Sequence, residues 1–164
     1  MIRLATHYDL AVIDRIYNQA IDRGFQTAQT TPLNNTERIK WYEEHSSDKY
    51  PVYVFEQDHK VLGWASLSPY RPGREALKEV AEISFYVNSN TVGQGIGSQL
   101  MEYCLENAST LKKRIYFAIL IEGNLGSLRL LKKYGFERWG YLPEVIHFRG
   151  ERKGQIYMGK ILDL

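Results

Sequence analysis

The stretch Gly93-Gln94-Gly95-Ile96-Gly97-Ser98 sets three glycines within five residues, so backbone N–H groups can line one concavity with no Cβ atoms in front of them. Ile96, Leu100, Met101, Cys104 and Leu105 follow at helical spacing, and the turn therefore opens a helix. Converging N–H groups and the positive end of a helix suit a pyrophosphate. A dinucleotide fingerprint would require glycine where Ser98 stands, and a P-loop would require Gly-Lys-Ser/Thr, so both of those nucleotide readings weaken. A second residue with chemical potential is Glu82, a carboxylate inside the β-rich segment Val80 to Val87. Strand alternation puts Ala81, Ile83, Phe85 and Val87 on one face and Val80, Glu82, Ser84 and Tyr86 on the other. Just upstream, Tyr70-Arg71-Pro72-Gly73-Arg74 supplies two guanidinium groups, each able to bind both oxygens of a carboxylate.

Other reactive residue types carry less. Cys104 lies on the apolar stripe of its helix with no histidine near it in sequence, which fits core packing and not a nucleophile. His7, His45, His59 and His147 lack metal-ligand spacing, and no metal is implied.

The elements that must position these residues follow in order. A short strand at Ile2 to Leu4 leads to a helix marked by Ile13, Ile16, Tyr17 and Ala20, with Thr6 or Asp9 to cap it and Gly24 to end it. Phe25 to Pro32 has neither period and reads as a loop of the kind that shapes binding sites. A second helix is expected from about Thr36 to His45, then a hairpin of Val52-Tyr53-Val54-Phe55 and Val61 to Leu67 turning at Asp58-His59. Ser68 to Lys78 is a polar connection into the Glu82 strand. After the glycine turn and its helix, Ile115 to Ile121 is a buried strand, and Asn124 caps a helix with Leu128, Leu131 and Tyr134 that stops at Gly135. Two short strands near Phe136 to Tyr141 and Gln155 to Ile161 complete a single domain over 1–164. The expected fold class is mixed α+β (α/β), a central sheet with helices on both faces.

Composition narrows the partners. Hydrophobic residues at 44% and charged residues at 24% are ordinary for a globular chain of 164 residues. With 21 basic and 19 acidic residues the net charge is +2, and no basic run exceeds Lys112-Lys113-Arg114, which argues against nucleic acid but leaves room for a small anion. No apolar run approaches membrane length, one cysteine excludes an internal disulfide, and the N-terminus lacks the pattern of a signal peptide. A cytoplasmic protein is the expectation.

Taken together, Val92-Gly93-Gln94-Gly95-Ile96-Gly97 and Asn124-Leu125-Gly126-Ser127 through Lys133-Tyr134-Gly135-Phe136 resemble the two signature blocks of the GNAT superfamily of acyl-CoA-dependent N-acetyltransferases. Val92 departs from the Arg or Gln of the pattern. More narrowly, Ile16-Tyr17-Asn18, Pro51-Val52-Tyr53-Val54, Ala81 to Val87 and Gly135 to Gly140 resemble the branch that acetylates phosphinothricin, methionine sulfoximine and related amino acids. The resemblance implies a mostly antiparallel sheet, acetyl-CoA as cosubstrate, a small-molecule amine as acceptor, and a homodimer. It places the backbone of Phe85, Tyr86 and Val87 against the pantetheine arm, Gly93, Gln94, Gly95, Ile96, Gly97 and Ser98 around the pyrophosphate, Asn124 near the pantetheine and Lys133 near the phosphates. Glu82 becomes the candidate base, directly or through water. Arg71 or Arg74 would meet a substrate carboxylate, with Phe25 and Thr27 on the opposite wall.

The family often carries a tyrosine acid in the second block, where this chain has Leu131; Tyr134 reads as packing. Rival readings are the same scaffold acting on a protein N-terminus or a polyamine, and a non-catalytic acetyl-CoA sensor. The basic loop at Arg71 and Arg74 counts against a polyamine, and Glu82 counts against the sensor.

Overall fold

The computed structural model describes residues 1–163. Its elements are β1 (Ile2–Leu4), α1 (Leu10–Arg23), α2 (Asn35–Glu43), β2 (Val52–Gln57), β3 (Lys60–Pro69), β4 (Val80–Val87), α3 (Ile96–Glu106), β5 (Ile115–Ile121), α4 (Leu125–Lys133), β6 (Glu137–Phe148) and β7 (Glu151–Ile161). The strands form one seven-stranded sheet in the order β1-β2-β3-β4-β5-β7-β6, antiparallel except for the β4–β5 pair. This is the mixed, mostly antiparallel sheet the sequence led us to expect.

Local chemistry explains the boundaries. Thr6 and Asp9 form a capping box ahead of α1, and Gly24 at φ 70° ends that helix in a conformation few side chains tolerate. Asn34 caps α2, its side chain accepting from Glu37 N–H while Glu37 answers at Asn34 N–H. That box starts α2 at Asn35, and the helix runs to Glu43, slightly earlier at both ends than the expected Thr36 to His45. Asp58 and His59 both have positive φ, the geometry of a tight turn matched to strand twist, and they close the β2–β3 hairpin.

The sheet buries a cluster on each face. Leu67, Ala81, Ile83 and Tyr116 pack against Leu100, Met101 and Cys104 of α3 and Leu131 of α4. On the opposite face Val52, Val54 and Trp64 pack against Ile13 and Ile16 of α1. Arg38 pins α2 to this second layer: its Nε donates to Asp14 Oδ1 at 2.9 Å, and its guanidinium lies 5.3 Å from the Tyr17 ring centre and 5.2 Å from that of Trp41. An almost fully buried arginine held by one carboxylate and two aromatic faces fixes Tyr17 from below.

One departure from expectation concerns the last two strands. The last strands are not short; β6 has 12 residues and β7 has 11, and they form a long hairpin that turns at Arg149-Gly150, both with positive φ. Most of β6 is exposed on both faces, so it shows no hydrophobic alternation, and Leu142 to Ile146 interrupts the register with Glu144 at φ 55°. The hairpin tip folds back on the end of α1, where Arg149 Nη2 reaches Asp22 O at 3.3 Å.

Candidate active site

β4 and β5 are paired for only three rungs, Val80↔Ile115, Ala81↔Tyr116 and Glu82↔Phe117. Beyond Glu82, β4 pairs with β3 alone and β5 with β7 alone, so the two strands part. A wedge thus opens in the middle of the sheet. Along it, backbone N–H and C=O groups of Ile83 to Val87 on the β5 side have no strand partner and are free for an extended ligand.

The wide end of the wedge is a cleft of about 430 Å³. It brings together Phe85, Tyr86 and Val87 of β4, Gly93, Gly95, Ile96, Gly97 and Ser98 of the glycine turn, and Asn124 before α4. Gly93 and Gly95 have φ of 87° and 81°, and a Cβ built on either would point into open space. Their conformation demands glycine, and no neighbouring atom fills the space in front of them. α3 starts without a side-chain cap, leaving the N–H groups of its first turn to the cradle. Gly97 serves a different purpose: a Cβ there would sit 3.2 Å from Leu130 Cδ2, so this glycine lets α3 and α4 approach. The cradle therefore fits a pyrophosphate on its own geometry.

Asn124 also does helix-capping work, its Oδ1 accepting from Ser127 N–H at 3.2 Å. Lys133 and Gln94 lie outside the cleft lining; Lys133 Nζ donates to Ser98 Oγ at 3.2 Å, which puts its charge at the rim of the cradle, and Gln94 is exposed on the turn. Sequence reasoning missed Gln19, Arg23, Gln26 and Arg129, which line the same cleft. Ile16, Gln19, Ala20 and Arg23 share one face of α1 at helical spacing, a signal that was available. Two arginines and no acidic residue in the lining favour an anionic ligand.

Glu82 occupies the last paired rung, at the apex of the wedge. It faces the α1 and α2 side, like its neighbours Ser84 and Tyr86, whereas Ala81 and Ile83 face α3. Burial holds its carboxyl above the usual carboxylate range. Burial likewise raises the Tyr86 phenol, whose ring is 4.9 Å from Tyr17 and 4.8 Å from Trp64. On the β5 side of Glu82, Phe117 gathers Tyr70 at 4.8 Å and Tyr157 at 5.2 Å between ring centres. Thr27 Oγ1 and Tyr17 OH are 2.7 Å apart, bringing the loop after α1 to this face. Phe25 instead packs on Phe148 with Lys153 above it, toward the hairpin tip. Arg71 and Arg74 are exposed in the turn that leaves β3 and join no ion pair among the described residues.

Leu131 is fully buried in the core, and no acid stands in its place. Tyr134 hydrogen-bonds Glu102 Oε1 at 2.6 Å on the exposed side. Cys104 is fully buried, its thiol pushed up to about 12 by desolvation, which leaves no thiolate for chemistry. Among the described residues no group of three or more His, Cys, Asp or Glu is arranged around a common point for a metal, and no helix is long and apolar enough to cross a membrane.

Comparison with known proteins agrees with this geometry. The sequence model described as the acetyltransferase (GNAT) family matches residues 12–136. The protein YwnH of Bacillus subtilis (strain 168), whose name places it with the phosphinothricin acetyltransferases, is 34% identical over 98% of both chains. An L-methionine sulfoximine/L-methionine sulfone acetyltransferase of Pseudomonas paraeruginosa (strain DSM 24068 / PA7) is 32% identical over 88% of this chain and 84% of its own. A solved phosphinothricin acetyltransferase from Sinorhizobium meliloti in complex with AcCoA superposes with a TM-score of 0.92 at 26% identity, covering 99% of this chain and 88% of that one. A glycine cradle at a helix start, a sheet split at Glu82 and a match over most of its length lead to one conclusion: the chain belongs to the GNAT family and is an acetyl-CoA-dependent N-acetyltransferase.

Proposed function

We propose that this acetyltransferase moves the acetyl group of acetyl-CoA directly to the primary amine of a small amino-acid-like substrate of the phosphinothricin or methionine sulfoximine type. The observation that carries the reading is Glu82, a half-buried carboxylate at the apex of the wedge with its basicity raised by desolvation. The names of the relatives support the substrate class.

When bound, acetyl-CoA supplies a thioester, already a reactive acyl donor. The Gly93 to Ser98 cradle holds its pyrophosphate and the free β4 edge aligns its pantetheine, so orientation does much of the work. Glu82 removes a proton from the ammonium of the acceptor, directly or through one water, and the neutral nitrogen attacks the carbonyl carbon. A backbone N–H near Val87 stabilises the oxyanion. With Leu131 where an acid would stand, water takes the second proton from the acylated nitrogen as the C–S bond breaks and gives one to the departing thiolate, a good leaving group at a thiol pKa of about 8.5. The aromatic rings around Phe117 suit the apolar part of the acceptor. Trp139, Leu142 and Val145 are exposed apolar side chains on β6, and a homodimer in sedimentation is part of this proposal.

Thiol release across a panel of amino acids, methionine sulfoximine, phosphinothricin, a polyamine and an N-terminal peptide tests the substrate class. Turnover is expected to be highest with the sulfoximine or phosphinothricin; a preference for peptide or polyamine would overturn it. Replacing the important member of Arg71 and Arg74 by Ala should raise KM about 10-fold or more for the amino acid and leave acetyl-CoA affinity unchanged. The decarboxylated amine is the control. Equal effects on amine and amino acid from both substitutions would exclude carboxylate recognition by these arginines.

A further inference from the structure

Ser68 is the direct antiparallel partner of Glu82, so both side chains leave the sheet on the same face. Side chains paired in this way have Cβ atoms only about 5 Å apart. His45, just beyond α2, reaches the same spot: its Nε2 is 3.2 Å from Ser68 Oγ, and its Nδ1 is 2.7 Å from the carbonyl oxygen of Trp41.

The proton positions follow from elementary chemistry. A carbonyl oxygen only accepts, so Nδ1 carries the hydrogen and donates to Trp41 O. Burial lowers the basicity of His45, which is therefore neutral near pH 7, with a lone pair on Nε2. The bond to Ser68 then has the hydroxyl as donor. A serine has one proton to give, and here His45 takes it; what Ser68 Oγ still presents to its surroundings are lone pairs.

We infer that His45 is a positioning residue for the base: by fixing the Ser68 hydroxyl as a donor toward itself, it leaves Ser68 Oγ as an acceptor beside Glu82 and favours the protonated carboxyl that proton removal from the substrate must create. The inference rests on Glu82 acting as the base. Without His45 the hydroxyl would turn and donate to the Glu82 carboxylate, stabilising the charged form and weakening the base.

The pairing of Ser68 with Glu82 is a backbone register, and the hydroxyl acts on the carboxyl across it. On the α1 and α2 side that Glu82 faces, the titratable and charged groups include Tyr86 of the same strand, Tyr17 and Asp14 of α1, Arg38 and Tyr42 of α2, and His45, and desolvation raises the Glu82 carboxyl. His45 itself is flanked by Glu43 and Glu44 at the end of α2 and shares the adjoining surface cleft with His7, whose ring meets that of Tyr42 edge to face.

The test is the acid limb of kcat/KM against pH for the whole enzyme with methionine sulfoximine. His45→Phe is expected to move that limb down by about one pH unit, the effect of one hydrogen bond gained by a carboxylate. His45→Gln places an amide oxygen where Nε2 lies and should return the limb toward the wild-type position. In a Ser68→Ala background His45→Phe should move the limb no further, because the two residues act through the same hydroxyl. A limb unmoved by His45→Phe, or a shift that persists undiminished without Ser68, would overturn the inference. Glu82→Gln measured alongside separates the two levels of the argument. If that variant keeps the limb, Glu82 is not the base and the proposal falls with it; if it abolishes the limb while His45→Phe leaves it in place, only the role of His45 is lost.

Discussion

Gly95→Glu is expected to abolish measurable binding of coenzyme A, weakening it by more than about 100-fold in calorimetry, since a carboxylate in place of two or three phosphate contacts costs several charge-assisted bonds. Two effects combine. Gly95 has φ 81°, where a side chain is strained, and it lines the cleft with no atom within 4 Å of a Cβ built on it. A glutamate there adds a negative charge to the cleft lining beside the α3 N-terminus, where it competes with the pyrophosphate for the positive charge that makes the site attractive to anions. Gly95→Asn separates the causes, because asparagine visits the left-handed region at lower cost and brings no charge. It should bind with intermediate affinity. Because nothing lies within 4 Å of the added Cβ, the glutamate variant should fold, and its circular dichroism should match wild type. A folded Gly95→Glu protein that binds coenzyme A as tightly as wild type would refute the phosphate cradle.

How much of this was legible in the sequence depends on whether the controlling interaction is local. The glycine turn, the Glu82 strand and the Asn124 cap are written in short stretches, and Val80–Val87 and Ile115–Ile121 form as strands at the expected bounds. The role of Gly97 was not legible, because Leu130, which excludes a side chain there, comes from another helix. Equally hidden was the parting of β4 and β5 at Glu82: each strand alone continues to Val87 and Ile121, and only the pairing register stops. Arg23 and Arg129 enter the cleft from α1 and α4, which no spacing within one segment brings together. The long β6–β7 hairpin escaped for a different reason. Most residues of β6 are exposed on both faces, and Arg149-Gly150 lacks the Asn-Gly or Asp-Gly signature of a tight turn. His45 carried no metal spacing and so drew no attention; its partners Trp41 and Ser68 come from a helix and from the strand beside Glu82.

Glu82→Gln separates an enzyme that uses a base from a domain that only binds acetyl-CoA. The amide keeps the shape of the side chain and cannot accept the proton, so kcat/KM near neutral pH should fall by about 10²–10⁴-fold, the usual contribution of a positioned base. Affinity for coenzyme A should scarcely change, because Glu82 is not among the residues that line the cofactor cleft. The pH dependence has a definite direction. Burial raises the Glu82 carboxyl above the ordinary carboxylate range, so wild-type activity should decline as pH falls through that raised value, and the Gln variant should lack that limb. Toward alkaline pH the two proteins should converge, since more of the amine arrives neutral and needs no base. Stability supplies an independent readout with the opposite sign. A carboxyl whose pKa is higher folded than unfolded binds more protons in the native state, so its contribution is present at acid pH and is lost as pH rises through the folded value. Near neutral pH the charged, desolvated Glu82 therefore weakens the fold, and Glu82→Gln should melt at the same temperature as wild type or higher while being the slower enzyme. Loss of activity together with a lower Tm would point to damage and not to a missing base. Wild-type activity in Glu82→Gln at neutral pH would remove Glu82 from the mechanism.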